Sequence, residues 1–323
     1  MKLSVVATLY KSEPYVDQFY RRACAAAENI SEDFELVLVN DGSPDGSLDK
    51  AIALSQSDAR VVVVDLSRNF GHHKAMMTGL EIANGDLVFL IDADLEEPVE
   101  ILADFYVTLS SKKCDVVYGY QQSRRRGLFD RLAGDAFYRF FNIFSDIKIP
   151  PNVITARLMT RRYVRNLLRH RERVIFIDGL WAATGYEQIG LPVEKNYKGS
   201  TSYTAWKRVS LALVSITSFS DRPLLVVVAM GGLISALSFF VCVYLLYEWF
   251  TRRLLSGWPS LIASIWFLGG LTIFCVGLIG LYISKIFLEV KHRPYTIIRD
   301  IYRVGISDQK SQWESRPTAQ TPP

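Results

Sequence analysis

Apolar residues fall in short, nearly continuous runs over the first third of the chain: Leu3–Leu9, Phe34–Val39, Val61–Leu66, Leu87–Ile91 and Val116–Tyr118. Mixed stretches with helical periodicity separate them, to about Asn29, over Leu48–Ser55, from about His73 to Ala83 and near Val99–Ser110. Strands without polar alternation, joined by helices, predict a mostly parallel α/β sheet covered on both faces. Such sheets bind ligands outside the carboxyl ends of their strands.

Two later stretches follow another pattern. Leu224–Tyr247 is 24 residues and Ser260–Ser284 is 25 residues without a charge. Each exceeds the roughly 20 residues a helix needs to cross a bilayer core. Trp249, Trp258, Tyr244, Tyr247 and Tyr282 lie near the ends, where interfacial aromatics gather. The connector Thr251–Pro259 is short, so the two spans (about 224–247 and 260–284, within 223–290) predict an antiparallel transmembrane hairpin. Gly231, Gly232, Gly269, Gly270, Gly277 and Gly280 would let helices approach closely.

Residues 1–205 are then expected as the soluble domain, 206–222 and 291–305 as juxtamembrane segments (the first amphipathic), and 306–323 as a disordered tail rich in Ser, Gln, Thr and Pro. Lys2 leads straight into a strand-like run rather than a signal-type apolar region, so the first domain is expected on the side of synthesis. Lys207, Arg208 and Arg222 before the hairpin, with Lys285, Lys291, Arg293 and Arg299 after it, agree with that orientation; Arg252 and Arg253 in the connector oppose it.

Composition sharpens this picture. The mean hydropathy of +0.14 belongs mainly to the two spans. Cys24, Cys114, Cys242 and Cys275 show no metal-type spacing, so reduced thiols are expected. The net charge of +4 hides a division: residues 1–120 are acidic and 121–222 basic. A basic stretch ahead of a membrane segment suits phosphate groups or anionic lipid. Nucleic acid is excluded as a partner, because the acidic first part would repel a phosphate backbone and no recognition motif is present. The absence of GxGxxG and of a Walker A lysine removes support for dinucleotide and ATP-hydrolase chemistry.

Strand ends carry the candidate chemistry. Asp41 follows one run, inside Asn40-Asp41-Gly42-Ser43. Asp92 and Asp94 follow another, inside Asp92-Ala93-Asp94-Leu95-Glu96-Glu97. Two carboxylates at i and i+2 on a bending strand end can share one hard divalent cation, which neutralises a diphosphate and makes it a better leaving group. His72 and His73 open a helix whose N-terminus suits a diphosphate better than a metal. Arg161, Arg162, Arg165 and Arg169 follow helical spacing and read mostly as surface or headgroup contacts.

Together these residues resemble the GT-A fold of family 2 glycosyltransferases, and within it the polyprenyl-phosphate glycosyltransferases. The likeness rests on Ser4-Val5-Val6 with Tyr10 and Glu13, the Asn40–Ser43 turn, Arg68-Asn69-Phe70-Gly71, Asp92-Ala93-Asp94-Leu95, Arg157-Leu158-Met159 with Arg161-Arg162, and the terminal hairpin. The resemblance implies that Asp41, with Thr8, Tyr10 and Glu13, binds the nucleotide. It implies that Asp92 and Asp94 hold Mg²⁺ or Mn²⁺ on the diphosphate. Arg131, Arg124, Arg126 and Lys198 become candidates for the acceptor phosphate. Lys198-Gly199-Ser200-Thr201-Ser202-Tyr203 looks like the family's loop over the active site. The implied partners are a nucleotide-sugar, more often a UDP-sugar, a polyprenyl phosphate, the bilayer and further copies of the chain. The implied place is a bacterial inner membrane, with the catalytic domain cytoplasmic.

The chain also departs from that pattern. Glu96-Glu97 stands where the family often has Gln-Asp or Gln-His, and Ile154-Thr155-Ala156 where it often has Gly-Asp-Phe. The QxxRW motif of processive synthases is absent. The implied reaction is a single inverting displacement in which a phosphate oxygen attacks the anomeric carbon. That nucleophile is already ionised near pH 7 and needs little base help; positioning and charge stabilisation carry the rate, with Asp94, Glu96 and Arg131 as the catalytic candidates. Transfer to a sugar or glycolipid hydroxyl is the alternative, and it would call on Glu96 or Glu97 as base. A membrane-tethered nucleotide-sugar binder without turnover is the other.

Overall fold

The computed structural model describes residues 1–121, 152–170, 177–194, 257–291 and 293–304, with isolated positions besides. They fall in two compact units, one holding the first three stretches together with 293–304, the other holding 257–291.

The first unit is an α/β sandwich. Its elements run β1 (Leu3–Leu9), α1 (Val16–Glu28), β2 (Phe34–Asn40), α2 (Ser47–Ser57), β3 (Val61–Leu66), α3 (His72–Ile82), β4 (Leu87–Asp92), α4 (Ile101–Lys112) and β5 (Val116–Tyr120). They continue with β6 (Val153–Thr160), α5 (Arg161–Leu167), α6 (Ile177–Ala183) and β7 (Gln188–Pro192). The sheet has eight strands in the order β7-β5-β6-β4-β1-β2-β3-β8, where β8 is Ile298–Tyr302. Every residue of β1, β2 and β3 is buried, because helices cover both faces and leave no solvent side to demand polar alternation. Phe89 on β4 meets Phe105 on α4 edge to face at 6.2 Å. On the same sheet, α3 packs so closely that a Cβ on Gly79 would lie 2.5 Å from Val6 Cγ1.

The topology fixes where a ligand sits. β1 pairs in parallel with β2 on one side and β4 on the other, so the winding reverses between β1 and β4. The crevice at such a reversal, at the carboxyl ends, is the expected binding place. Register places Thr8 opposite Asp92 there, and Asn40 opposite Asp65. β6 runs antiparallel between β4 and β5 and brings Thr155 to the same end.

Two readings gain detail. The stretch 291–305 reads as juxtamembrane in the sequence; in the structure Ile298–Tyr302 forms β8 and pairs antiparallel with β3 as an edge strand. Tyr302 and Ile301 sit opposite Val63 and Val64. Arg162, Arg165 and Arg169 are exposed, as their helical spacing suggests, while Arg161 is half-buried; the first two of the run also make specific contacts. Arg161 Nε donates to Gly85 O at 2.7 Å, and Arg162 pairs with the buried Asp115, Nη2 to Oδ2 at 2.6 Å. Both tie the start of α5 to the amino ends of the central strands. Helical spacing tells which residues share a side, not what that side touches.

In the second unit, α7 (Trp258–Val290) contains the expected span 260–284 and runs six residues beyond it. Its portion Phe267–Val290 is 24 residues long and apolar enough to cross a membrane. Ile265, Phe267, Ile273, Val276 and Ile283 are all exposed on it, as on a helix apolar all round. The first span, 224–247, is described only at scattered positions, each of them helical; segment 206–222 and the tail lie outside the described residues.

Candidate active site

Four strand ends and the start of α3 meet at the reversal point. Asp92 closes β4, and both its oxygens are used. Oδ2 accepts a hydrogen bond from Thr155 Oγ1 at 2.9 Å, and Oδ1 lies 3.2 Å from His72 Nε2. The other ring nitrogen of His72 lies 3.1 Å from Thr8 Oγ1 at the end of β1. The imidazole therefore spans the reversal point from one strand end to the other. Partial burial works against its charged form. The hydrogen bond and charge of Asp92 outweigh this, with Asp41 and Asp94 further off, and raise the His72 pKa above the ordinary histidine value.

Asp94 follows on the bend. Its Oδ1 accepts from Glu96 N at 2.9 Å, and Leu95 between them takes a left-handed φ of 60°. Glu96 is half-buried beside it. Glu97 is fully buried and bonded in another way. Its Oε2 accepts from Ala156 N at 2.8 Å and its Oε1 from Thr155 N at 3.3 Å. It pins the start of β6, and with it the Thr155 hydroxyl that orients Asp92. This use of both oxygens on backbone amides disfavours Glu97 as a general base.

Asp41 follows the last residue of β2 and is 2% exposed. Its Oδ1 accepts from Phe70 N at 2.7 Å and its Oδ2 from Gly71 N at 3.0 Å. Burial raises its pKa despite these amides and the nearby His72 and Arg68. The carboxylate thus holds the β3–α3 loop against the β2 turn. Gly42 makes that approach possible: its φ is +60°, and a Cβ there would stand 2.5 Å from Asn69 N. Tyr10, on the loop after β1, is 48% exposed. Glu13 points elsewhere: its Oε2 accepts from Gly46 N at 2.9 Å and braces the start of α2.

Beside the Asp92 cluster lies a cavity of about 210 Å³. His72, His73, Glu97, Thr155, Asp178 and Trp181 are among its walls. Behind it, Arg157 is buried against the Trp181 ring, and burial pulls its guanidinium below the usual range. Asp178 and Trp181 escape a reading of the sequence, since neither lies in a strand-end motif. Arg124, Arg126, Arg131 and Lys198 lie outside the described residues.

Among the described residues no three His, Cys, Asp or Glu side chains form a metal cluster. Two hard carboxylates, Asp92 and Asp94, still fit Mg²⁺ or Mn²⁺. Such ions bind through one or two carboxylates and complete their shell with phosphate oxygens and water.

The doubly wound sheet brings Asp92 and Asp94 to the crevice at its reversal point, where sheets of this kind bind their ligands. The glycosyl transferase family 2 model matches residues 4–168, and the chain belongs to that family. The protein is a glycosyltransferase with the GT-A fold. A protein of Mycobacterium tuberculosis (strain CDC 1551 / Oshkosh), named only for the glycosyltransferase class, is 50% identical over 94% of this chain and 89% of its own. The SfII prophage-derived bactoprenol glucosyl transferase of Shigella flexneri is 33% identical over 94% of this chain and 99% of its own. A mannosyltransferase from Pyrobaculum calidifontis, solved with GDP-Man and Mn²⁺, aligns with a TM-score of 0.46 at 19% identity, over 67% of this chain and 63% of that one.

Proposed function

We propose that this protein moves a sugar from a nucleotide-sugar, a UDP-sugar in the first instance, to a polyprenyl phosphate at a bacterial inner membrane. The observation that carries the reading is the Asp92–Asp94 pair at the reversal point, beside a sugar-sized cavity, in a chain that also holds a membrane-length helix. Relatives over nearly the whole length that are named bactoprenol glucosyl transferase support the same acceptor.

In this reading Tyr10 and the Asn40–Ser43 turn take the nucleotide. Asp92 and Asp94 hold the divalent ion, which when bound neutralises the leaving diphosphate. Thr155 and His72 keep Asp92 aimed, and the N-terminus of α3 faces the phosphates. Asp178, Trp181 and His73 line the pocket for the sugar. Glu96 orients a donor hydroxyl. Arg124, Arg126, Arg131 and Lys198 take the acceptor phosphate, whose oxygen attacks without first giving up a proton. The hairpin spans the membrane twice, keeps the catalytic domain cytoplasmic and joins further copies of the chain.

The test is turnover of purified protein with undecaprenyl phosphate, Mg²⁺ or Mn²⁺, and a panel of UDP- and GDP-sugars. A lipid-linked sugar from one donor, lost in Asp94→Ala, supports the reading. Nucleotide binding without turnover of any donor contradicts it.

A further inference from the structure

β8 reaches the catalytic sheet from the opposite end of the sequence, beyond the membrane-length helix. Its pairing with β3 sets Asp300 opposite Asp65 and Tyr302 opposite Val63. Ser67 N donates to Ile297 O at 2.9 Å, just before the strand starts. Two side-chain bonds fasten the approach: Thr296 Oγ1 lies 2.8 Å from Thr78 Oγ1, and Tyr295 donates to Glu81 Oε2 at 2.7 Å.

Arg299 does something different. Its Nη2 donates to Ser67 O at 2.7 Å and its Nη1 to Asp65 Oδ2 at 3.2 Å. Asp65 is 1% exposed, an ionisable side chain at the end of an otherwise apolar strand. Its other oxygen, Oδ1, accepts from Asn40 Nδ2 at 2.7 Å. Asn40 is buried at the end of β2, and its Oδ1 accepts from Ser43 N at 3.2 Å. Ser43 Oγ in turn accepts from Lys11 N at 2.7 Å, on the loop that carries Tyr10. One line of hydrogen bonds thus runs from Arg299 through Asp65 and Asn40 into both loops around Asp41.

Each link depends on the one before it. A carboxylate this deeply buried is tolerated only when paired and hydrogen-bonded. Without Arg299, Oδ2 of the buried Asp65 loses its cationic partner, and the side chain must draw in water or turn toward the surface. Each outcome changes what Asn40 is held by. An asparagine freed at that point no longer fixes the Ser43 amide, and the turn bearing Asp41 loses its inner support.

We propose that Arg299 is a positioning residue for the nucleotide half of the donor, acting through Asp65 and Asn40. The segment beyond the membrane helix is then part of the donor site and not only an exit from the bilayer. This rests on the reading of the Asp41 turn as the nucleotide site.

The experiment uses the full chain in lipid nanodiscs, with UDP binding by calorimetry and initial rates against the donor sugar. Arg299→Met is expected to raise both UDP Kd and donor KM roughly tenfold, about 1.4 kcal/mol, with little change in kcat. Arg299→Lys restores part of this, since it keeps the charge but not the fork. Tyr295→Phe cuts the neighbouring bond to Glu81, leaves Asp65 alone and keeps the parent KM. If Arg299→Met does not fold, Arg299→Gln, which keeps a donor for Ser67 O but loses the charge, is expected to show the same KM rise. A lowered Tm with unchanged KM in these variants overturns the proposal, as does an equal KM rise in Tyr295→Phe. Asp41→Asn separates the two layers. Unchanged UDP affinity there sinks the nucleotide reading itself. Loss there with none in the Arg299 variants sinks only the relay.

Discussion

The Thr155 hydroxyl donates to Asp92 Oδ2 at 2.9 Å, from an antiparallel strand inserted beside β4. A carboxylate at position 155 could not make this bond while ionised; it would repel Asp92. The threonine at 155 therefore sets how Asp92 is held. Outer partners of this kind set the orientation of a metal-binding carboxylate. Thr155→Val is expected to raise the Mg²⁺ or Mn²⁺ concentration for half-maximal activity by about tenfold or more, with Tm nearly unchanged. Thr155→Ser should restore the parent value. The check is a metal titration of the initial rate for the three proteins.

Glu97 should behave as a brace. Glu97→Ala leaves the Thr155 and Ala156 amides without their carboxylate, at a cost of about 1–3 kcal/mol in stability. Glu97→Gln keeps one oxygen acceptor and should lose less. Thermal unfolding with parallel rate measurements checks this. A base role would instead give Glu97→Gln a normal Tm and a collapsed kcat.

Gly42→Ala tests the close approach of the two loops. The added methyl meets the Asn69 amide and Arg68 carbonyl carbon at 2.5 and 2.6 Å, and the residue must keep a φ of +60°. Backbone cannot yield as a flexible side chain would. The expected loss is above about 1 kcal/mol, together with weaker UDP binding, because Asp41 can no longer close on Phe70 and Gly71.

Stability in acid should report on Asp58. The hydrogen bond from Arg60 holds its carboxyl at about 2, against an ordinary 3.8. A depressed carboxylate contributes stability above its unfolded pKa and loses it as pH falls through the folded one. The Tm gap between the parent and Asp58→Asn should therefore be constant from neutral pH to about pH 5 and narrow progressively from there to about pH 1. A gap as wide at pH 2 as at pH 7 would contradict this.

Much of the fold is legible in the sequence because parallel strands buried on both faces must be apolar throughout, as Val61–Val64 and Leu87–Ile91 are. The carboxylates at strand ends are legible for the same reason: Asp92 interrupts an apolar run where the run must stop. Other parts are not. Thr155, Asp178 and Trp181 reach the site through β6 and α6, whose place depends on long-range pairing that leaves no local pattern. β8 is hidden by its basic neighbours, and a five-residue strand carries too little periodicity to outweigh them. One signal points to it. Asp65 lies near the end of a strand otherwise made of valine and leucine, and a buried carboxylate requires a cation from somewhere.

The most direct test of the central claim compares two acceptors with the same donor and metal: undecaprenyl phosphate and undecaprenol. They share the lipid and differ in whether the attacking oxygen is already ionised. Sugar transfer to the phosphate alone, lost in Asp94→Ala, is the predicted result. Transfer to undecaprenol at a comparable rate would contradict it, and would show that the site supplies a base and reads a hydroxyl.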